Sequence, residues 1–137
     1  MLVKDLMTTA VTSVTPGSPA AAAVKIMRSE DVGIVPVCDI QGHLLSVITD
    51  RDILMRDGLD KSVEEVMSCN VVCTAPKENI HDAAVKMSEH GVRRLPVVEN
   101  DKLAGMLSIK DLAGRKVFTA EIGHIMYNVC NKKPQRI

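Results

Sequence analysis

Laid against itself at an offset of sixty residues, the chain repeats. VKDLMT at 3–8 falls on VEEVMS at 63–68, and Pro16 falls on Pro76. Ala20, Ala23, Val24 and Met27 fall on Ile80, Ala83, Ala84 and Met87, and VGIVPV at 32–37 falls on VRRLPV at 92–97. Past the next turn the offset drops to fifty-nine, so SVITDRDIL at 46–54 meets GMLSIKDLA at 105–113. A single deletion, placed in a loop, over about fifty aligned positions marks a duplicated unit.

The repeat also dates its own elements, because both copies keep one periodicity. The stripe at Ala20, Ala23, Val24 and Met27, with its counterparts, has the i, i+3, i+4, i+7 spacing of an amphipathic helix. Ser18 and Pro19 predict an N-cap followed by proline at the first helical position; Asn79, with Asp82 three further on, predicts the second cap. VGIVPVCD and LLSVIT are short β-branched runs on either side of IQGH, which predicts two strands and a turn, and the second copy turns at ENDK. Pro36 and Pro96 within such runs imply edge positions or bulges. Apolar helical segments, ILMR and LAGR, follow.

Each repeat therefore reads strand–helix–strand–strand–helix, an α+β class of two β-α-β-β-α units. At about fifty residues neither unit can cover its helix and sheet faces alone, so the two are expected to pack together as a pseudo-two-fold pair. The division is 1–60 for the first repeat, 61–116 for the second, and 117–137 for a helix and tail outside the repeat. In that tail Ile122, Ile125, Met126 and Val129 form a helical stripe with Thr119 as its cap, weakened by Gly123. It is expected to pack on the paired repeats or on a second subunit, ahead of a frayed basic end, NKKPQRI.

The composition excludes several classes. Seventeen basic residues balance seventeen acidic ones, with one Tyr, one Phe and no Trp, so neither a basic footprint nor stacking platforms for nucleic acid are present. No apolar run approaches a membrane span, and MLVKDLMTT lacks the apolar core of a signal peptide, which points to a cytoplasmic protein without membrane partners. Cys38, Cys69, Cys73 and Cys130 form no CxxC pair and no complete tetrahedral set, so no metal site is expected and free thiols are the simpler reading. The histidines His43, His81, His90 and His124 are scattered, and no nucleophile–base arrangement is legible, so no enzyme is expected.

The repeated phrase at 46–54 and 105–113 places Thr49 three residues before Asp52, and Ser108 three before Asp111. Hydroxyl–x–x–acid ahead of a helix is a capping box. The same geometry suits a nucleotide: a hydroxyl and helix-start N–H groups for phosphate, and a carboxylate one turn on for the vicinal diol of ribose. The two readings are compatible. Arg93 and Arg94 precede Leu95 and Pro96, where the first copy has Gly33 and Ile34, so phosphate contact is expected of the second copy if either arginine faces the ligand.

Two such units, with VGIVPV and VRRLPV followed by SVITDRDI and GMLSIKDL, resemble a tandem pair of cystathionine β-synthase (CBS) domains, often called a Bateman module. The resemblance covers roughly residues 1–116. It implies a regulatory module that binds an adenosine compound (AMP, ADP, ATP or S-adenosylmethionine) in clefts between the repeats, requires no cofactor, pairs into homodimers and signals by a change of conformation or regulated partner. It implies Asp52 and Asp111 as ribose ligands and Thr49 and Ser108 toward phosphate. The base is implied beside Thr12–Val14 and Val72–Thr74, that is near Val14 and Thr74, between walls of Val35 with Pro36 and Leu95 with Pro96. The chain departs from the family's pattern at Ser46, where a glycine usually stands, whereas Gly105 is kept; the serine either crowds the backbone or points outward. The rival functions are a structural dimerisation module with empty clefts, and a metal- or redox-responsive protein using Cys69, Cys73 and Cys130.

Overall fold

The computed structural model describes residues 1–68 and 70–131. The chain forms two compact units whose boundaries cut across the sequence repeats: Thr12–Val71 makes one, and among the described residues Met1–Val11 joins 72–131 in the other. The basic end from Lys132 on lies outside the described residues.

In the unit Thr12–Val71 the elements are α1 (Ala20–Glu30), β1 (Ile34–Cys38), β2 (Leu44–Thr49), α2 (Asp50–Met55) and the single turn α3 (Val63–Val66). β1 and β2 form an antiparallel hairpin in which Pro36 faces Val47. Its turn is tied by Asp39, whose carboxylate accepts the N–H groups of Gln41 and His43 at 2.9 Å each, with Gly42 at φ +93°. The apolar stripe of α1 (Ala20, Ala23, Met27) packs with Val35, Val37, Ile48 and Ile53, and Val63 and Val66 complete this core. Those last two belong to the second sequence repeat. They are held by the Val63 N–H on the Ser18 carbonyl (2.8 Å) and the Glu64 N–H on the Pro16 carbonyl (2.9 Å).

This pairing corrects the expected cap of α1. The helix starts at Ala20, with Pro19 extended at its N-cap (ψ 145°) and no capping side chain. Ala20 donates its N–H to the Lys61 carbonyl at 2.9 Å, and Pro19 bridges to Ser62. The first orphan donor of the helix is thus met by backbone, and the Ser18 hydroxyl instead pairs with that of Thr15 at 2.8 Å.

The second unit contains α4 (Ile80–His90), β3 (Arg94–Glu99), β4 (Lys102–Ser108), α5 (Ile109–Ala113) and α6 (Thr119–Asn131). Asn79 caps α4 as expected, accepting the His81 N–H at 2.8 Å. Residues 1–8 take the place that 61–68 take in the first unit. The Val3 N–H donates to the Glu78 carbonyl, Lys4 to Pro76 (2.9 Å each) and Ile80 to Met1 (3.0 Å), with Val3 fully buried. Thr8 and Met106 then exchange two backbone hydrogen bonds of 2.9 Å.

The leading strand of each repeat is reduced to bridge length: Val14 pairs in parallel with Val37, and Thr74 with Val97. The reason lies in the prolines. Val14 donates to the Pro36 carbonyl (3.0 Å) and accepts from Cys38 (2.8 Å), so residue 36 directs its backbone groups to this side. A proline there has no N–H for the next carbonyl back along the chain, and pairing stops. Thr74 meets Pro96 in the same way. Pro36 and Pro96 therefore have neighbours on both sides instead of lying at an edge, and the register shift falls one residue later, at Val37/Cys38 and Val97/Val98.

Helix α6 docks on α4 of its own unit. Asn128 Nδ2 donates to the carbonyl (2.8 Å) and Oγ (2.6 Å) of Ser88, and Ile125 is fully buried. Ile122 and Val129 are half-buried and Met126 exposed, so the stripe narrows to one anchor. Thr119 is the first helical residue, not a cap, because the 3₁₀ turn Lys116–Phe118 runs straight into α6 and draws its hydroxyl to the Lys116 carbonyl (2.7 Å).

Candidate ligand-binding turns

Both hydroxyl–x–x–aspartate turns stand where the second strand of a hairpin enters a short helix. Thr49 donates its N–H to Asp52 Oδ2 at 3.1 Å and accepts the Asp52 N–H on Oγ1 at 3.0 Å. Ser108 donates its N–H (2.8 Å) and hydroxyl (3.2 Å) to Asp111 Oδ2. The capping function is thus present in both. Across the hairpin, Ile34 faces Thr49 and Arg94 faces Ser108. The Ile109 N–H donates to the Arg93 carbonyl at 2.9 Å, as Asp50 does to Gly33. Arg93, Arg94, Ser108 and Asp111 therefore meet in one unit, with Arg93 exposed and Arg94 half-buried. In the other unit, Thr49 and Asp52 have Gly33 and Ile34 in those places.

The turns differ in enclosure. Asp52 is 4% exposed, while Asp111 and Ser108 are half-buried. Asp52 Oδ2 also accepts the hydroxyl of Ser68 at 2.9 Å. The Ser68 N–H donates to the Val47 carbonyl (2.9 Å), and its own carbonyl accepts the hydroxyl of Ser46. Ser46 thus neither crowds the backbone nor points outward: it is buried and fastens Ser68. At Gly105 the other unit leaves no such room, since a Cβ would come within 2.5 Å of the Thr8 carbonyl.

The residues expected as walls are core residues. Val14, Val35 and Leu95 are 7%, 1% and 0% exposed, and Pro36 and Pro96 are buried with them. Val14 and Thr74 use both backbone groups in their bridges. The Thr74 hydroxyl is also engaged: it donates to Glu78 Oε2 at 2.6 Å, where Lys86 Nζ donates as well (2.9 Å), and Lys86 also reaches the Cys73 carbonyl (3.0 Å).

Sequence reasoning missed this network, because Val14, Ser18 and Ile26 stand at the matching places of the first repeat. It missed Ser68 too, although the match of VEEVMS to VKDLMT puts a hydroxyl there.

Burial pushes the Glu78 carboxyl up, but the Thr74 and Lys86 hydrogen bonds and the Lys86 charge outweigh it and hold the group below its ordinary 4.5. With the folded pKa depressed, the stabilisation is complete above 4.5 and is lost as pH falls through the folded value. Melting curves between about pH 6 and pH 3 are expected to fall less steeply on the acid side for Glu78→Gln than for the parent; parallel curves would remove Glu78 from the acid response.

Burial raises the thiols of Cys38 and Cys73 above their ordinary value, and Cys130 is exposed. Among the described residues no group of three His, Cys, Asp or Glu side chains could hold a metal ion; Cys69 lies outside them. No helix among the described residues is long and apolar enough to cross a membrane.

The CBS domain model matches residues 3–57 and again 63–117, and the chain belongs to the CBS domain family. It is 36% identical over 135 residues to the CBS domain-containing protein YhcV of Bacillus subtilis, covering 95% of this chain and 96% of that one. Two solved structures are similar. Hypoxic Response Protein I, with two coordinated zinc ions, matches at TM-score 0.76 and 28% identity over 84% of this chain and 98% of that one. The CBS domain pair of protein MJ0100, in complex with 5′-methylthioadenosine and S-adenosylmethionine, matches at TM-score 0.76 and 26% identity over 83% and 98%.

Proposed function

We propose that the protein is a non-catalytic regulatory module of the cytoplasm that binds an adenosine-containing ligand, AMP, ADP, ATP or S-adenosylmethionine, and signals by a change of conformation or partner. The observation that carries this reading is the pairing of two CBS matches with a half-buried Ser108–Asp111 turn set beside Arg93 and Arg94. The adenosine compounds held by the MJ0100 pair support it. The carboxylate of Asp111 serves the ribose diol, and Ser108 with the arginines serves phosphate. A base lying at the strand start meets the backbone of Val72 and the N–H of Cys73, since the backbone of Thr74 and the Cys73 carbonyl are engaged. Ligand shifts the module only by its difference in affinity between two states.

A homodimer is part of the proposal. Leu54, Met55 and Leu59 are 75%, 71% and 60% exposed, apolar surface of the kind a second copy covers.

At a hundred times its dissociation constant a ligand adds about 2.7 kcal/mol, which for a chain of this size raises Tm by about 5–15 °C. A panel of AMP, ADP, ATP and S-adenosylmethionine at millimolar concentration is expected to contain at least one compound that does so. Zinc belongs in the same panel because of the zinc-bearing relative. A shift with zinc alone would favour the metal-responsive reading, and no shift with any compound would favour a dimerisation module with empty sites.

A further inference from the structure

The two turns that the repeat writes alike are closed to different degrees. Around Thr49, three polar side chains are buried together: Ser46 at 2%, Asp52 at 4% and Ser68 at 4%. They form one chain of hydrogen bonds, from the Ser46 hydroxyl to the Ser68 carbonyl and from the Ser68 hydroxyl to Asp52 Oδ2 (2.9 Å), which also holds the Thr49 N–H (3.1 Å). Around Ser108 the matching parts are absent. Gly105 has no hydroxyl, and Thr8 is exposed and makes its hydrogen bonds to Met106 through backbone. Among the described residues, no hydrogen bond reaches Asp111 Oδ1.

We infer that Ser68 is a built-in occupant of the Thr49–Asp52 turn, its hydroxyl standing where a ligand hydroxyl would donate, so that this turn is a structural latch and each chain binds one adenosine ligand, at the Ser108–Asp111 turn. The second half rests on the ligand reading proposed above; the first half stands on the geometry of Ser46, Asp52 and Ser68. A diol reaching Asp52 Oδ2 must first displace the Ser68 hydroxyl, exchanging one donor for another with little net gain. The backbone of Ser68 does not yield with it, because it is fixed by the Ser68 N–H on the Val47 carbonyl and by the Ser46 hydroxyl on the Ser68 carbonyl. Asp111 demands none of this, and across the hairpin Arg94 faces Ser108 while the Arg93 carbonyl holds the Ile109 N–H.

Isothermal titration of the full chain with AMP and, separately, with S-adenosylmethionine tests both halves. The expected result is one equivalent per chain, an affinity reduced tenfold or more by Asp111→Asn, and an affinity within about twofold of the parent for Asp52→Asn. Without ligand, Asp52→Asn and Ser68→Ala are expected to lower Tm by about 5 °C or more, and Asp111→Asn by clearly less. Two equivalents per chain, or a loss of affinity in Asp52→Asn matching that of Asp111→Asn, overturns the inference and leaves the ligand reading intact. Absence of binding by either probe overturns the ligand reading and the one-site claim with it. The latch is then decided by melting alone: a Ser68→Ala protein as stable as the parent overturns it.

Discussion

Gly105→Ala is expected to lower Tm by about 10 °C, a large effect for a single methyl group on a strand. The new Cβ would lie 2.5 Å from the Thr8 carbonyl oxygen and 3.2 Å from Met7 Sδ. The thioether can swing aside, but the carbonyl is backbone, held there by the two hydrogen bonds that Thr8 exchanges with Met106. Relief requires residues 7–8 to back away, losing that pair at about 1 kcal/mol each on top of an overpacking cost of about 1–3 kcal/mol. A total of about 3–5 kcal/mol corresponds to roughly 10 °C or more in a domain of this length. Ser46→Ala, at the matching place of the other unit, should cost less, because a Cβ is already accommodated there and only the hydrogen bond to the Ser68 carbonyl is lost. Thermal unfolding by circular dichroism compares the two. A Gly105→Ala protein that melts with the parent, or above Ser46→Ala, would show that Thr8 does not lie against the strand.

Ile125→Ala should cost about 2–4 kcal/mol, at the lower end of the range for emptying a fully buried isoleucine. The helix has an escape that a central strand lacks. Its hold on α4 consists of Ile125, the half-buried Ile122 and Val129, and the Asn128 amide on Ser88. Once the anchor is gone, α6 can leave its seat for less free energy than a full cavity would cost, so the loss is capped by the docking free energy of this one element. Amide hydrogen exchange should therefore show protection lost across 119–131 while the β3–β4 hairpin keeps its own. Asn128→Ala should have a smaller effect of the same kind, about 1 kcal/mol. Uniform loss of protection in both elements would mean that α6 unfolds with the unit rather than from it.

What the sequence revealed and what it hid have physical explanations at particular residues. The helices at 20–30 and 80–90, the two hairpins and the cap at Asn79 were legible because each follows from local periodicity or local chemistry. The start of α1 was misjudged because the partner of Ala20 is the Lys61 carbonyl, a long-range contact that no local pattern announces. Likewise, the repeat shows that Val3 resembles Val63 but not that each one packs beyond its own copy. The candidate turns were found through Thr49, Asp52, Ser108 and Asp111, yet their difference in enclosure depends on Ser46 and Ser68. The Ser46 hydroxyl reaches the Ser68 carbonyl across 22 residues of chain. Thr74 appeared as a ligand residue from its place in the first strand, and only the structure shows it joined to Glu78 and Lys86.

The division of the chain into Thr12–Val71 and its complement has a consequence for how the protein is made. On the ribosome, the unit Thr12–Val71 has all its parts once Val71 has emerged, and it can close while the rest is still being translated. Met1–Val11 has no such chance. Its partners at Pro76, Glu78, Ile80 and Met106 are synthesised only after the whole of the other unit. Val3, later fully buried, must wait in solvent through that interval, and its eventual pairing spans a long loop that slows closure. Of the residues that build the second unit, the earliest to be made are among the last to be placed.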